Sequence, residues 1–254
     1  MRAYNKDWDL ADIQFPVGVS VKMDGIRAVN LHGKILSSTF KPIPNIYIRK
    51  LLEHSTLHGY DGEIVTHTNN IADPFFVVQS KVMSEDVYTD FWFCVFDSFN
   101  SPNEPYIKRL GCISNKFLHG FLAVKTEEEL QRFHKSVNDS KSEGTIVRKL
   151  DAPYKFGRVT WKEGYVLKLV DWTREEGIIK GFTENSTWRN RIGSIVIHTD
   201  KWGSVYLGSG FNHTLSKDFA ENPKKYIGRT VTFKYKKERS KLNPSQPIFV
   251  GFYD

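Results

Sequence analysis

Cysteine is nearly missing from this chain: its 254 residues hold two, Cys94 and Cys112. Two cysteines build no disulfide framework, and Cys94, inside an aromatic run, reads as a small buried hydrophobe. A reducing, cytoplasmic setting is therefore expected. Also missing is any run of about 18 apolar residues, the length a membrane-spanning helix needs. The opening MRAYNKDWDLADIQF has no apolar stretch of the kind a secretory leader carries, and reads as mature sequence. No internal repeat or low-complexity segment appears. Positive charge, by contrast, is in excess: 36 Lys and Arg against 29 Asp and Glu give a net charge of +7. Such an excess suits a polyanionic partner, though it also serves plain solubility.

Two textures divide the chain. Up to about residue 170, strand patterns alternate with helical ones. VGVSVKM alternates, Asp24-Gly25 supplies a hairpin-turn dipeptide, and IRAVNL is expected to run back beside it. Ile48, Leu51 and Leu52 have helical spacing between Asn45 and Ser55. Thr126 and Glu129 form a capping-box pair ahead of the stripe Leu130, Phe133 and Val137. YDGEIVT, FWFCVFDSF and GTIVRKL read as strands. Beyond Asp171 the runs GIIKGFT, GSIVIHTD, GSVYLGSGF and GRTVTFKY are short, β-rich and mostly opened by glycine. One helical pattern, Leu215 to Asn222, interrupts them and stops at Pro223. That arrangement suits a small Greek-key barrel of the OB type. The boundary is expected at 170–176, in the charged stretch DWTREEG.

The segment Lys22-Met23-Asp24-Gly25-Ile26-Arg27 concentrates the chemistry. Strand alternation sends Val19 and Val21 to one face and Ser20 and Lys22 to the other, so Lys22 leaves the core side at the lip of a turn. A lysine amine attacks phosphorus only when deprotonated, which a nearby guanidinium or metal favours. Locally, an exposed lysine on a surface hairpin fits equally well.

Later segments bear on that choice. Lys22-x-Asp-Gly-x-Arg27 resembles the nucleotidyl-lysine motif of the superfamily containing DNA ligases, RNA ligases and mRNA capping enzymes. Tyr60-Asp61-Gly62-Glu63, Phe93-Cys94-Val95-Phe96-Asp97, Glu143-Gly144-Thr145-Ile146-Val147 and Tyr165-Val166-Leu167-Lys168-Leu169 resemble its later motifs, in order. Within it, LSSTFKPIP from Leu36, EGIIKG from Glu176, GSGF from Gly208 and IGR from Ile227 are similar to the small ATP-dependent DNA ligases of phages. About 20 residues precede Lys22, so no separate N-terminal DNA-binding domain is expected.

The resemblance implies an α+β protein: an antiparallel-sheet nucleotidyltransferase domain over 1–170, then an OB-fold barrel over 171–254, with a hinge near Asp171 to Glu176. It implies ATP and Mg²⁺, with Lys22 forming a covalent lysyl–AMP. Ser20, Val21, Asp24, Gly25, Arg27, Glu63, Phe96 and Lys168 are expected at the nucleotide, Glu63 on its ribose and Phe96 stacked on its purine. Glu143, with Glu63, is expected to serve the metal, and Lys168 to hold the α-phosphate. Four places depart from the pattern: Ser38 stands where arginine is usual, Ser20 where a glutamate often reads the adenine amino group, Val170 where a second lysine is common, and PIFVGFYD lacks the arginine often found near Tyr253. Lys155 or Lys162 is the expected replacement for the missing cations. Nicked duplex DNA is the implied partner of a monomer, held by Arg189, Arg191, Lys234, Lys236 and Lys237, although that basic run also reads as a solvated face. An RNA ligase, a capping guanylyltransferase and a non-catalytic OB-type nucleic acid binder are the alternatives.

Overall fold

A computed structural model of the chain describes residues 1, 13–140, 142–160, 162–236 and 243–253. It divides into two compact units, Met1–Leu169 and Val170–Asp254.

The first unit holds two antiparallel sheets. In one, β1 (Val17–Val21) is central because its valines have an apolar face to bury. Val17 and Val19 pack with Val124, Leu130, Val147 and Leu167. The other sheet contains β2 (Ile26–Leu31), β3 (Lys34–Ser37), β4 (Tyr60–Thr68), β5 (Ile71–Ala72) and β6 (Phe91–Ser98). β2 lies between β3 and β4, and β4 pairs in turn with β5 and β6. β7 (Leu122–Val124), β8 (Thr145–Lys149) and β9 (Val166–Leu169) complete the first sheet in the order β7-β1-β8-β9.

The Asp24-Gly25 dipeptide therefore does not close a hairpin. β1 and β2 belong to different sheets, and the chain crosses between them at Lys22–Gly25. Turn propensity loses here to a close approach: a Cβ on Gly25 would sit 2.3 Å from the Ile64 carbonyl oxygen. Glycine is needed for space against β4, not for a turn.

Helices cover these sheets where the apolar spacing asks for them. α1 (Ile46–Leu52) starts at Asn45, whose side chain accepts from Tyr47 and Ile48 N–H at 3.0 Å each. Such a cap is worth about 1 kcal/mol. Ile48 and Leu52 enter the core with Val78 and Val82 of α2 (Phe75–Met83). α3 (Tyr106–Leu110) follows, and α4 (Glu127–Asp139) buries Leu130 and Val137, with Phe133 partly covered. The Thr126 hydroxyl caps Glu129 N–H as expected, but the Glu129 carboxylate returns to Lys125 N–H rather than to that of Thr126.

The second unit is a five-stranded antiparallel sheet with a single α-helix among its described residues. The strands are β10 (Trp172–Glu184), β11 (Ile192–Thr199), β12 (Gly203–Leu207), β13 (Thr230–Lys236) and β14 (Ser245–Phe252), in the order β12-β11-β10-β13-β14. β10 serves both halves: Trp172–Ile178 pairs with β13 and Ile178–Glu184 with β11. Register shifts after Ile179 and Phe182 bend it. The helix α5 (His213–Glu221), capped by Asn212, buries Phe219 among Ile179, Ile195, Ile197 and Phe233. The stretch 172–176, part of the expected boundary and hinge, lies inside β10, so only Val170 and Asp171 separate β9 from β10.

Candidate active site

The two sheets of the first unit bound a cleft of about 290 Å³. One wall is the outward face of β1, β8 and β9. Cross-strand register aligns Ser20 with Ile146, and Ile146 with Lys168. Period-two alternation sends these three side chains to the cleft while Val19 and Val147 go to the core. Lys22 continues the line at the mouth. Its backbone N–H is held by the Gly144 carbonyl at 2.7 Å, and its ammonium is ion-paired with Glu143. Lys22 is thus fixed at both ends of its side chain rather than waving in solvent.

The opposite wall comes from β2, β4 and β6. Arg27 and Glu63 are register partners and both face the cleft. Arg27 is clamped by Asp61, Nε to Oδ1 at 3.0 Å and Nη2 to Oδ2 at 2.7 Å. Burial alone would raise the Asp61 carboxyl, but the Arg27 charge and hydrogen bonds, with the Tyr154 hydroxyl at 2.7 Å, hold it below the ordinary range. Glu63 has no such clamp. Burial pushes its carboxyl up to about 7, against the pull of Lys22 and Arg27.

Phe96 lines the cleft beside an irregularity in the ladder. β6 pairs Asp97 with Asp61 and Val95 with Gly62, leaving Phe96 as the extra residue of a bulge. Phe93 and Val95 point into the core, so alternation along β6 sends Phe96 to the opposite, cleft face, and the bulge lets Asp97 pair with Asp61. A flat, half-buried aromatic there can stack on a planar ring.

Of the nucleotide-site residues expected from the sequence, Ser20, Val21, Lys22, Arg27, Glu63, Phe96 and Lys168 line the cleft, and Glu143 joins through Lys22. Asp24 and Gly25 are not among its lining residues. Neither Lys155 nor Lys162 supplies the missing cations. The Lys155 ammonium is held by Glu163 at 2.6 Å, and Lys162 lines a separate hollow with Gln14 and Glu163. The cleft instead contains Arg148 and Arg158, which sequence reading passed over, along with His119. Arg148 had a signal, since it follows Ile146 by two on the same strand face. His119 had none: it arrives from the loop before β7 to donate from Nε2 to the Val21 carbonyl at 2.9 Å, and burial lowers its pKa.

On the second unit, register sets Arg174 beside Lys234 and Trp172 beside Lys236, with the Lys234 ammonium 4.9 Å from the Trp172 ring centroid. Arg189 is exposed in the loop after β10. Arg191 donates to the His213 ring at 2.7 Å, its guanidinium 5.0 Å from the exposed Trp188 ring centroid. Lys237 lies outside the described residues.

Comparison with known proteins adds three findings. Residues 185–252 match the family described as the DNA ligase OB-like domain. The solved DNA ligase-adenylate of Chlorella virus is 30% identical, over 99% of this chain and 98% of that one, with a TM-score of 0.60. A solved Lig E DNA ligase, 19% identical, shares the fold at a TM-score of 0.78 over 99% of this chain and 98% of its own. A DNA ligase of Haemophilus influenzae is 29% identical over 133 residues, 52% of this chain and 45% of that protein, so the match spans less than half of that relative.

Proposed function

The chain belongs to the ATP-dependent DNA ligases, and on that premise we propose that it seals nicks in duplex DNA by way of Lys22. The observation that carries this reading is the company Lys22 keeps: Glu143 on its amine, with Phe96, Arg27, Glu63 and Lys168 around one cleft.

ATP is read as seated with its purine on Phe96 and its phosphates towards Lys22 and Lys168. Having given up its ammonium proton, the Lys22 amine attacks the α-phosphorus in line, and a second nitrogen proton passes to solvent as the phosphoramidate forms. The N–P bond forms as the bond to the bridging oxygen breaks, and pyrophosphate leaves with that oxygen's electron pair. AMP then passes to the 5′-phosphate of a nick, which regenerates the Lys22 amine. The 3′-hydroxyl attacks the activated phosphate, AMP departs, and the phosphodiester is complete. Lys168 supplies a fixed positive charge for the α-phosphate through these steps. Arg27, held straight by Asp61, contributes position more than free charge.

Glu63 and Glu143 suit Mg²⁺. Both are hard oxygen donors beside Lys22, and a cation would relieve the burial that pushes Glu63 up to about 7. Among the described residues no group of three metal-binding side chains gathers. A cation shared with substrate phosphates, as Mg²⁺ prefers, fits that donor set. When bound, it would neutralise phosphate charge.

Arg174, Lys234 and Lys236, with Arg189 and Arg191, give the second unit cations for a phosphate backbone. The direct test is incubation with ATP labelled at the α-phosphate and Mg²⁺, followed by a nicked duplex. Label on Lys22, then a sealed strand, is the expected result. Label that never reaches protein would sink the proposal.

A further inference from the structure

Arg148 stands in the cleft with nothing yet assigned to it. Its residue is 6% exposed, and its Nε and Nη1 have no hydrogen-bond partner. The nearest carboxylate, Asp97, is 3.5 Å from Nη1, an ion pair but a poor hydrogen bond. A merely structural arginine would look like its neighbour Arg109, which is 1% exposed. Arg109 donates to both Asp97 oxygens, at 2.8 and 3.1 Å, and to the carbonyls of Glu104 and Ala152. Asp97 also accepts from Ser98 N–H at 2.8 Å. Its carboxylate is thus committed elsewhere, and neutralising it does not require Arg148.

The position of Arg148 supplies the rest. It follows Ile146 on the cleft face of β8, and its register partner on β1 is Gly18, which adds no side chain beside it. Its guanidinium lies 4.9 Å from the Phe96 ring centroid and 5.2 Å from that of Tyr106. The unmatched donors are therefore at the ring that the nucleotide base is read as stacking on. Buried N–H groups on a charged side chain are costly to leave without acceptors. A purine carries acceptor nitrogens around its edge, whereas a ribose or phosphate seated nearer Lys22 would lie away from Phe96.

We propose that Arg148 is the base-reading residue of the cleft, donating from its unmatched N–H groups to a ring nitrogen of the adenine stacked on Phe96. This rests on the reading of the cleft as the ATP site. It makes nucleotide recognition depend on an arginine that grips a ring nitrogen.

The test uses ATP beside its 1-deaza, 3-deaza and 7-deaza analogues, each replacing one ring nitrogen by C–H. Lysyl–AMP formation is followed over a range of nucleotide concentrations with the full chain. One analogue is expected to need about tenfold more nucleotide than ATP for half-saturation, the scale of one charged hydrogen bond. The other two should stay within about threefold. In Arg148→Met that same analogue should match ATP within about twofold, and in Arg148→Lys the ratio should fall at least about threefold. Three analogues all within about threefold of ATP in the parent protein overturn the proposal, whether or not the variants fold. So does a tenfold ratio that survives in either variant. Failure to form any adduct with ATP itself strikes the ligase reading instead.

Discussion

Arg27 and Asp61 form a two-point clamp across β2 and β4, at 3.0 and 2.7 Å, with the carboxylate wholly buried behind the cleft wall. The first and second motifs of the sequence thus meet through a pair that neither announces alone. Breaking a buried pair by removing one partner costs about 3–5 kcal/mol.

Asp61→Asn should accordingly lower stability by about that amount in urea unfolding at pH 7. The pH dependence has a definite sign. The folded Asp61 pKa is depressed, so its contribution is complete above the ordinary carboxylate value, about 4, and is lost as pH falls towards the folded value. The parent should therefore lose stability below pH 4 more steeply than Asp61→Asn. Parallel curves would mean the clamp adds nothing to the folded state.

Lys22→Arg keeps a positive charge and the ion pair with Glu143 but offers no neutral amine, because guanidinium stays protonated. Adenylation and sealing of ordinary nicks should disappear. Sealing of a nick supplied already carrying 5′-AMP should persist in part, since that step no longer uses the nucleophile. Normal label transfer to the variant protein is the outcome that excludes Lys22.

Lys168 on β9 faces the cleft beside its register partner Ile146 on β8. Losing one preorganised charge contact at a reacting phosphate costs about 3 kcal/mol, roughly a hundredfold in rate. Lys168→Ala should slow both lysyl–AMP formation and sealing of a pre-adenylated nick on that scale, read by single-turnover kinetics. Rates within about twofold of the parent would remove Lys168 from the phosphate.

Arg174, Lys234 and Lys236 are brought together by β10–β13 register, on strands far apart in sequence. Replacing all three by alanine should weaken binding to nicked duplex and flatten its salt dependence by about 0.9 log unit per lost phosphate contact, nearly three in all. Lysyl–AMP formation should continue, because free ATP does not need that face. An unchanged salt slope would return these cations to the role of a solvated surface.

Much of this protein was legible in its residues because the signals were local. Alternation in VGVSV, the Thr126 cap, the apolar stripe of α4 and the ordered motifs all rest on neighbours within a few positions. The Asp24-Gly25 dipeptide misleads for the same reason. A dipeptide records its own backbone preference, but not the Ile64 carbonyl waiting 2.3 Å from an added Cβ. Lys155 and Lys162, expected to replace the missing cations, sit elsewhere: an ion pair with Glu163 holds the first, and the second lines a separate hollow.

The sequence by itself determined the nucleophile candidate, the order of the two units and the strand faces on which Ser20, Ile146 and Lys168 lie. Only the tertiary structure decided which sheet β2 joined, that a bulge in β6 sets Asp97 beside Asp61, and that Arg109 rather than Arg148 satisfies Asp97. Period-two alternation belongs to a single strand and survives in any pairing. A bulge, or a buried donor without an acceptor, exists only between segments that the chain brings together from a distance.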